Sequence, residues 1–216
     1  MARRAAASSS FQRPFRQRAI GRRIIISCEG AKTEYGYFEG IRKSLRMEPN
    51  KIIVVKPQGS DPLGVVREAV DERAERQHNQ QWVEEDMAWA VFDGDEHIAN
   101  NRDNWRGALR LAQESDIRLA ISNPSFEYWY LLHYQDQTGH LTRQRAIRLL
   151  KDHLPMYEKA HALYQGELQP RTAEAVNRAK RAARLADAND LTAYSNPCTH
   201  VWELVEILLS LQKESR

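Results

Sequence analysis

The sequence predicts an α/β protein with a parallel sheet of about four strands, helices flanking that sheet, and a helical C-terminal part. Several apolar runs have the length of a strand and lack polar alternation, as expected for strands covered on both faces. A segment with helical periodicity follows each run. Strand and helix alternate four times, which is typical of parallel strands joined by right-handed crossovers. Beyond Tyr134 the patterns are helical, and no further strand of comparable quality is evident.

The predicted elements follow one another along the chain with short turns between them. The strands are predicted at Arg23–Cys28, Ile52–Lys56, Met87–Phe92 and Ile117–Ile121. Thr33, Asp61 and Ser125 have side chains suited to capping the helices that follow them. Later helices are predicted at Thr142–His153, Thr172–Ala188 and Thr199–Leu211, with an intermediate stretch at Met156–Tyr164.

The composition is that of an ordinary globular chain. It has 216 residues, of which 42% are hydrophobic, and no apolar run approaches the roughly 20 residues needed to cross a bilayer. The cysteines, Cys28 and Cys198, form neither a disulfide framework nor a metal-ligand spacing, which suits a reducing compartment. We therefore expect a cytoplasmic protein that does not enter a membrane.

The charge is unevenly distributed along the chain. Residues 1–23 contain seven arginines and no acid, so they carry a charge of +7. The formal net charge of the chain is +3, so the remaining residues carry −4. We predict a basic, flexible arm over residues 1–21, an α/β domain over 22–134, and a helical extension over 135–216 packed on that domain. The arm is consistent with phosphate attraction, with a passive solvated tail, or with an organelle transit peptide.

Three acidic residues follow predicted strands. Glu29 comes directly after the first, and Asp93 and Asp95 follow the third. Because the carboxyl ends of parallel strands meet at one edge of a sheet, where ligands gather, we expect these carboxylates to converge. A hard divalent cation such as Mg²⁺ prefers oxygen ligands and would offset their repulsion. The alternative is that they are turn and capping residues.

Several motifs in order resemble the RloB-like family, whose members carry a TOPRIM-type domain and are associated with bacterial defence loci. The resemblance covers nearly the whole chain after the arm and rests on the stretches Ser27–Phe38, Phe92–His97, Ser122–Trp129, Leu131–His133 and Asn196–Val201. It implies a TOPRIM-like sheet and a metal-dependent nuclease, the effector of an anti-phage or abortive-infection type of defence, working with a partner ATPase.

The resemblance also implies roles for the acidic residues. Glu29 matches the family's general acid or base, and Asp93 and Asp95 match its metal-binding pair, which together form the predicted catalytic set. Where some TOPRIM proteins have a third acid, this chain has His97. Glu127 leaves the carboxyl end of another predicted strand and is predicted as an auxiliary metal ligand. The expected ion is Mg²⁺, with Mn²⁺ as an alternative.

Basic residues provide candidates for contact with nucleic acid. They are Lys32, in the turn beside Glu29, and a group in a C-terminal helix: Arg178, Lys180, Arg181 and Arg184. A solvated turn and an ordinary amphipathic helix explain the same residues without a ligand. The alternative function is a non-catalytic nucleic-acid-binding or regulatory subunit, and the sequence leaves the choice of DNA or RNA, including tRNA, and the oligomeric state open.

Overall fold

The computed structural model describes residues 22–59, 61–158, 164–188 and 194–214. The predicted arm, residues 1–21, lies outside the described residues, as does part of the intermediate stretch at Met156–Tyr164. Within the described chain, no helix combines the length and apolarity required to span a membrane.

A mixed, mostly parallel sheet of five strands lies at the centre of the fold. Its strands are β1 (Ile24–Cys28), β2 (Ile52–Val55), β3 (Met87–Asp93), β4 (Arg118–Asn123) and β5 (Cys198–Thr199), in the order β2-β1-β3-β4-β5. The first four strands are parallel, which confirms the predicted sheet. Cys28 pairs with Val91 and Asp93 with Ser122, so the carboxyl ends of β1, β3 and β4 lie along one edge.

The fifth strand was missed by the sequence analysis. β5 pairs antiparallel with β4, with Ser122 opposite Thr199 and Asn123 opposite Cys198. The hydroxyls of Ser122 and Thr199 lie 2.8 Å apart and are hydrogen-bonded. The helix predicted from Thr199 therefore begins only at Val201, because the two preceding residues complete the sheet.

Eight α-helices are present in the described part of the chain. They are α1 (Thr33–Leu45), α2 (Pro62–His78), α3 (Asp95–Asn100), α4 (Arg102–Glu114), α5 (Phe126–Leu131), α6 (Arg143–His153), α7 (Thr172–Ala188) and α8 (Val201–Glu214). A π-helical turn, Tyr164–Leu168, and a 3-10 turn, Gln169–Arg171, precede α7. Short helix α3 occupies the place predicted as an acidic turn after β3.

The predicted capping residues behave differently from one another. Asp61 caps α2 as expected, because its carboxylate accepts a hydrogen bond from the Gly64 N–H at 3.1 Å. Thr33 is instead the first residue of α1, and Lys32 is the N-cap. Ser125 occupies the N-cap of α5, but its hydroxyl donates to Glu127 rather than capping the backbone.

Helices cover the sheet on both faces, which explains the continuous apolar runs. Ile24 and Ile26 belong to the core beneath α1, α5, α6, α7 and α8, whereas Ile25 belongs to the core beneath α2 and α4. All three side chains are fully buried. Since alternate strand residues point to opposite faces, a strand buried on both sides needs an apolar residue at every position. The C-terminal helices thus share a core with the sheet.

Candidate active site

Glu29 and Asp93 meet at the carboxyl edge of the sheet, although 64 positions separate them. The Glu29 N–H donates to Val91 O at 2.9 Å, which extends the pairing of β1 with β3 by one residue. The Glu29 Oε2 atom then accepts a hydrogen bond from the Asp93 N–H at 2.9 Å. The parallel register therefore brings together two of the three acids that the sequence predicted to converge.

His97 holds the other oxygen of Glu29. The His97 Nε2 atom lies 2.9 Å from Glu29 Oε1, and the side chains are only 15% and 16% exposed. His97 reaches this position because α3 turns the chain back after β3. The residue at the place of the expected third acid thus orients the Glu29 carboxylate, a function that sequence reasoning did not assign to it.

The Asp93 carboxylate is buried and fully engaged. Its Oδ1 accepts a hydrogen bond from the Phe126 N–H at the start of α5, at 2.9 Å, and its Oδ2 lies 3.0 Å from Arg143 Nη2. Burial raises the pKa of Asp93 well above its ordinary value, and the charges of Glu34, Glu29 and Glu127 raise it further, whereas Arg143 opposes the rise. Burial is therefore the main cause of the raised pKa, and Arg143 opposes only part of the rise.

Arg143 bridges Asp93 and Asp95. Its guanidinium forms two hydrogen bonds with Asp95, from Nε to Oδ2 at 3.2 Å and from Nη2 to Oδ1 at 2.9 Å. The backbone is not extended between the two aspartates, because β3 ends at Asp93 and α3 begins at Asp95. The two carboxylates are joined instead by an arginine from α6, which the sequence analysis had not placed in the site.

Two further buried carboxylates belong to the site. Glu127, the predicted auxiliary ligand, is 1% exposed. It accepts hydrogen bonds from the Ser125 hydroxyl at 2.6 Å and the Tyr157 hydroxyl at 3.1 Å. Glu34, in the first turn of α1, is 5% exposed and was not predicted. A Cβ at Gly30 would overlap the Glu34 carboxylate, so a side chain there would move Glu34 from its position.

These side chains line one open pocket of about 390 Å³. Its lining includes the carboxylates of Glu29, Glu34, Asp93 and Glu127. Arg143 also lines the pocket, together with Lys32, which is exposed in the turn between β1 and α1. Asp95 is not among the lining residues and is connected to the pocket through Arg143. The predicted turn position of Lys32 thus places it beside the acids.

The residues suit a magnesium ion in chemistry, although not in a preassembled arrangement. Carboxylate oxygens are the ligands that Mg²⁺ prefers, and four carboxylates line the pocket. Yet among the residues that the structure describes, no group of three or more His, Cys, Asp or Glu side chains is gathered as a metal site. Arg143 and His97 already occupy oxygens of Asp93, Asp95 and Glu29.

The basic residues predicted on the C-terminal helix lie on α7, outside this pocket. Arg178 and Arg181 pair with Asp136 and Glu174, and Arg178 also donates to Leu132 O. Lys180 pairs with Glu206 of α8 at 2.6 Å. Arg184 is exposed. Most of this cationic surface is therefore matched by acids of the same chain.

His133 is a core residue. Its Nδ1 is hydrogen-bonded to Trp129 O at 3.0 Å, and burial lowers its pKa to about 4. The ring is therefore neutral at physiological pH, with the proton on Nδ1, because Trp129 O is the one hydrogen-bond acceptor that it contacts within the described residues. His133 packs in the aromatic core beside Tyr37 and Trp129, which is a structural position.

The fold and the site define an α/β protein that gathers acidic side chains at the carboxyl edge of a mostly parallel sheet. The model of the RloB-like protein family matches residues 24–208, which is most of the chain. The chain therefore belongs to the RloB-like family, and the family resemblance seen in the sequence is confirmed. No curated protein and no solved structure matches the chain.

Proposed function

We propose that this RloB-like protein is a Mg²⁺-dependent nuclease that hydrolyses phosphodiester bonds of a nucleic acid. The observation that carries the proposal is the pocket in which Glu29, Glu34, Asp93 and Glu127 face Arg143. Gathering carboxylates at one place is costly to a fold unless other groups compensate them, and a divalent cation is a group that does so with oxygen ligands. Sites with strongly perturbed carboxylates in a cleft are candidates for catalysis.

Asp93, Asp95, Glu127 and Glu29 are the residues that would hold the ion, with Mn²⁺ as an alternative to Mg²⁺. The ion would neutralise charge on the phosphoryl oxygens and lower the pKa of an attacking water. The Phe126 N–H donates to Asp93, and the hydroxyls of Ser125 and Tyr157 donate to Glu127. These contacts fix the carboxylates before any ligand arrives, which limits the cost of organising the site.

Glu29 is the proposed general base. It lines the pocket, and its carboxylate is fixed at both oxygens by the Asp93 N–H and by His97 Nε2. A carboxylate positioned in this way can take the proton of a water that attacks phosphorus. His97 acts through Glu29, because its Nε2–H donates to Oε1 and so sets the orientation of the carboxylate.

Arg143 and Lys32 are the proposed cationic groups for the substrate phosphate. The guanidinium of Arg143 presents parallel N–H groups that match a phosphate as well as a carboxylate. In this structure those groups bind Asp93 and Asp95. The proposal requires Arg143 to exchange these aspartate oxygens for a phosphate when the ion binds them.

Because the chain belongs to the RloB-like family, we also propose that it is the effector of a bacterial anti-phage defence system. A partner ATPase would control it. The 216 residues contain no Gly-rich phosphate loop of the Walker type, so ATP hydrolysis would come from the partner. The second candidate is a non-catalytic nucleic-acid-binding or regulatory subunit. The observation that favours it is that Arg143 already compensates Asp93 and Asp95 without a metal.

Cleavage assays separate the two candidates. The full chain is incubated with DNA, messenger RNA and tRNA, with Mg²⁺, with Mn²⁺ or with chelator. We expect metal-dependent cleavage by the parent and none by Glu29→Gln, Asp93→Asn or Asp95→Asn, each of which stays folded. Asp71→Asn, at an exposed position of α2, is the control and should cleave like the parent. Equal cleavage by all variants, or cleavage that survives chelation, would overturn the proposal.

A further inference from the structure

The outer face of α6 carries cations that no acid of the described chain compensates. Arg145, Arg148 and Lys151 are exposed, and they form no ion pair within the residues that the structure describes. Asp152 is the only acidic residue of the helix. This face differs from that of α7, where Arg178, Lys180 and Arg181 are paired.

The α6 cations lead away from the candidate active site. Arg143, the first residue of α6, lines the pocket, and His153 is the last residue of the same helix. Arg145, Arg148 and Lys151 follow at intervals of three on the outer side of α6, whereas Arg143 and His153 lie about 140° around the helix from the middle of that row. At 1.5 Å per residue, Lys151 lies about 12 Å along the helix axis from Arg143.

An aromatic stack stands at the far end of α6. The rings of Tyr134 and His153 are parallel within 11°, with centroids 4.9 Å apart. The guanidinium carbon of Arg171 lies 5.0 Å from the Tyr134 centroid. His153 is exposed and hydrogen-bonded through Nε2 to Gln135 Oε1 at 2.9 Å, which fixes the plane of its ring. The stack therefore presents an oriented flat ring to solvent.

We infer that α6 is the binding track for a single-stranded nucleic acid, the substrate class of the site. Phosphates would contact Arg145, Arg148 and Lys151, and a base would stack on His153. A cationic path combined with an aromatic platform is the usual means of binding single strands without sequence preference. Bases in a duplex are already stacked on one another, so the platform favours a single strand. The inference rests on the proposed nuclease function, because the track ends at the pocket.

Charge removal on two helices tests the track. Binding of a short fluorescent single strand, as DNA and as RNA, is measured in chelator against salt concentration. The α6 variant replaces Arg145, Arg148 and Lys151 with Gln, and the matched α7 control replaces the acid-paired Arg178, Lys180 and Arg181 with Gln. Because each phosphate contact on a single strand contributes about 0.7 to the salt slope, the α6 variant should lower the slope by about 2. The control should keep a slope close to that of the parent.

A second pair of variants tests the stacked rings of Tyr134 and His153. His153→Ala should weaken binding of the single strand about five-fold or more, since stacking of one base on an aromatic ring is worth at least that factor. Binding of the corresponding duplex should change less. His78→Ala is the control, because His78 is also an exposed histidine in the last turn of a helix, α2. Circular dichroism and thermal melting confirm that every variant is folded.

The outcomes separate this inference from the proposed function. Loss of binding in the α6 and His153 variants, with both controls intact, supports the track. Equal weakening by the α6 and α7 variants, an unchanged α6 variant, or failure of the parent to bind any single strand overturns it. If the parent cleaves in Mg²⁺ while the α6 variant binds and cleaves like the parent, the track fails and the nuclease proposal stands. If the track binds but the parent never cleaves, the nuclease proposal fails.

Discussion

Replacing Arg143 with Gln removes the one guanidinium that joins Asp93 to Asp95. The substitution keeps a polar side chain of moderate length but cannot compensate two carboxylates. In the parent, Arg143 Nη2 contacts Asp93 Oδ2 at 3.0 Å and Asp95 Oδ1 at 2.9 Å. Without these contacts, the two aspartates lose the guanidinium that both of them contact, and they remain beside the other acids of the pocket.

The magnitude follows from the burial of the bridge. The side chain of Asp93 is 9% exposed and that of Asp95 is 22% exposed. A fully exposed pair contributes about 0–1 kcal/mol, and removing one partner of a buried pair costs about 3–5 kcal/mol. The bridge lies between these cases, so Arg143→Gln should lower the free energy of unfolding by about 2–3 kcal/mol in chelator.

Urea unfolding with and without Mg²⁺ measures this effect. An ion that binds only the native state raises the free energy of unfolding by an amount that grows with the logarithm of one plus the ratio of its free concentration to its Kd. Because the variant lacks the guanidinium that competes for the aspartate oxygens, Mg²⁺ should restore more stability to Arg143→Gln than it adds to the parent. Arg145→Gln is the control, because Arg145 is exposed and unpaired within the described residues, and should change stability by less than about 0.5 kcal/mol.

Two results would show that Arg143 does not have this role between Asp93 and Asp95. If Arg143→Gln is as stable as the parent in chelator, the bridge does not compensate the aspartates. If Mg²⁺ stabilises parent and variant equally, or neither, Arg143 and the ion do not compete for the same oxygens. In addition, Arg143→Gln should cleave nucleic acid more slowly than the parent at saturating Mg²⁺, because the phosphate loses its guanidinium.

Two further predictions concern stability. Burial, followed by the charge of Glu34, raises the pKa of Asp93 in the folded protein. The native state therefore holds the Asp93 proton at pH values where the unfolded chain, with an Asp pKa of about 3.9, has lost it. The parent should lose stability relative to Asp93→Asn as pH rises above about 4, and parallel urea curves across pH would contradict this. Gly40→Ala should destabilise the protein by about 1–3 kcal/mol, because the new Cβ would lie 2.7 Å from the Tyr164 Cβ. A Cβ at Gly36 would meet nothing within 4 Å, so Gly36→Ala should be neutral or stabilise α1 by up to about 1 kcal/mol. A higher melting temperature for Gly40→Ala than for Gly36→Ala would contradict this packing.

The parallel sheet and the meeting of Glu29 with Asp93 could be predicted because the signals are local. An apolar run covered on both faces needs no distant information to be recognised as a strand. Once β1 and β3 are parallel neighbours, the residues that follow them must lie at one edge. The strand ends thus predict which acids meet, although not how their oxygens are held.

Arg143 could not be assigned to the site from the sequence. It lies 48 positions from Asp95 in α6, where it is one of several basic residues of an amphipathic helix. Only the return of the chain after β4 and α5 brings it to the acids. Tyr157 reaches Glu127 in the same way, across 30 positions. These contacts depend on packing between elements, which periodicity within an element does not encode.

Glu34 and β5 were missed for a different reason. Glu34 lies in the first turn of α1, where an acid is already explained by the helix dipole, so a sufficient local explanation concealed its place in the pocket. The signal was the neighbouring Gly30, whose missing side chain leaves room for the Glu34 carboxylate. β5 has only two residues, too few for any alternating pattern, and its identity as a strand comes from pairing with β4.

Anomalous scattering from Mn²⁺ shows whether the acidic pocket is a divalent metal site. Crystals of the full chain are soaked in Mn²⁺ and data are collected at its absorption edge. We expect an anomalous peak in the pocket bound by Asp93, with Arg143 no longer bridging Asp93 and Asp95. An empty pocket at saturating Mn²⁺, with the Arg143 bridge intact, would contradict it.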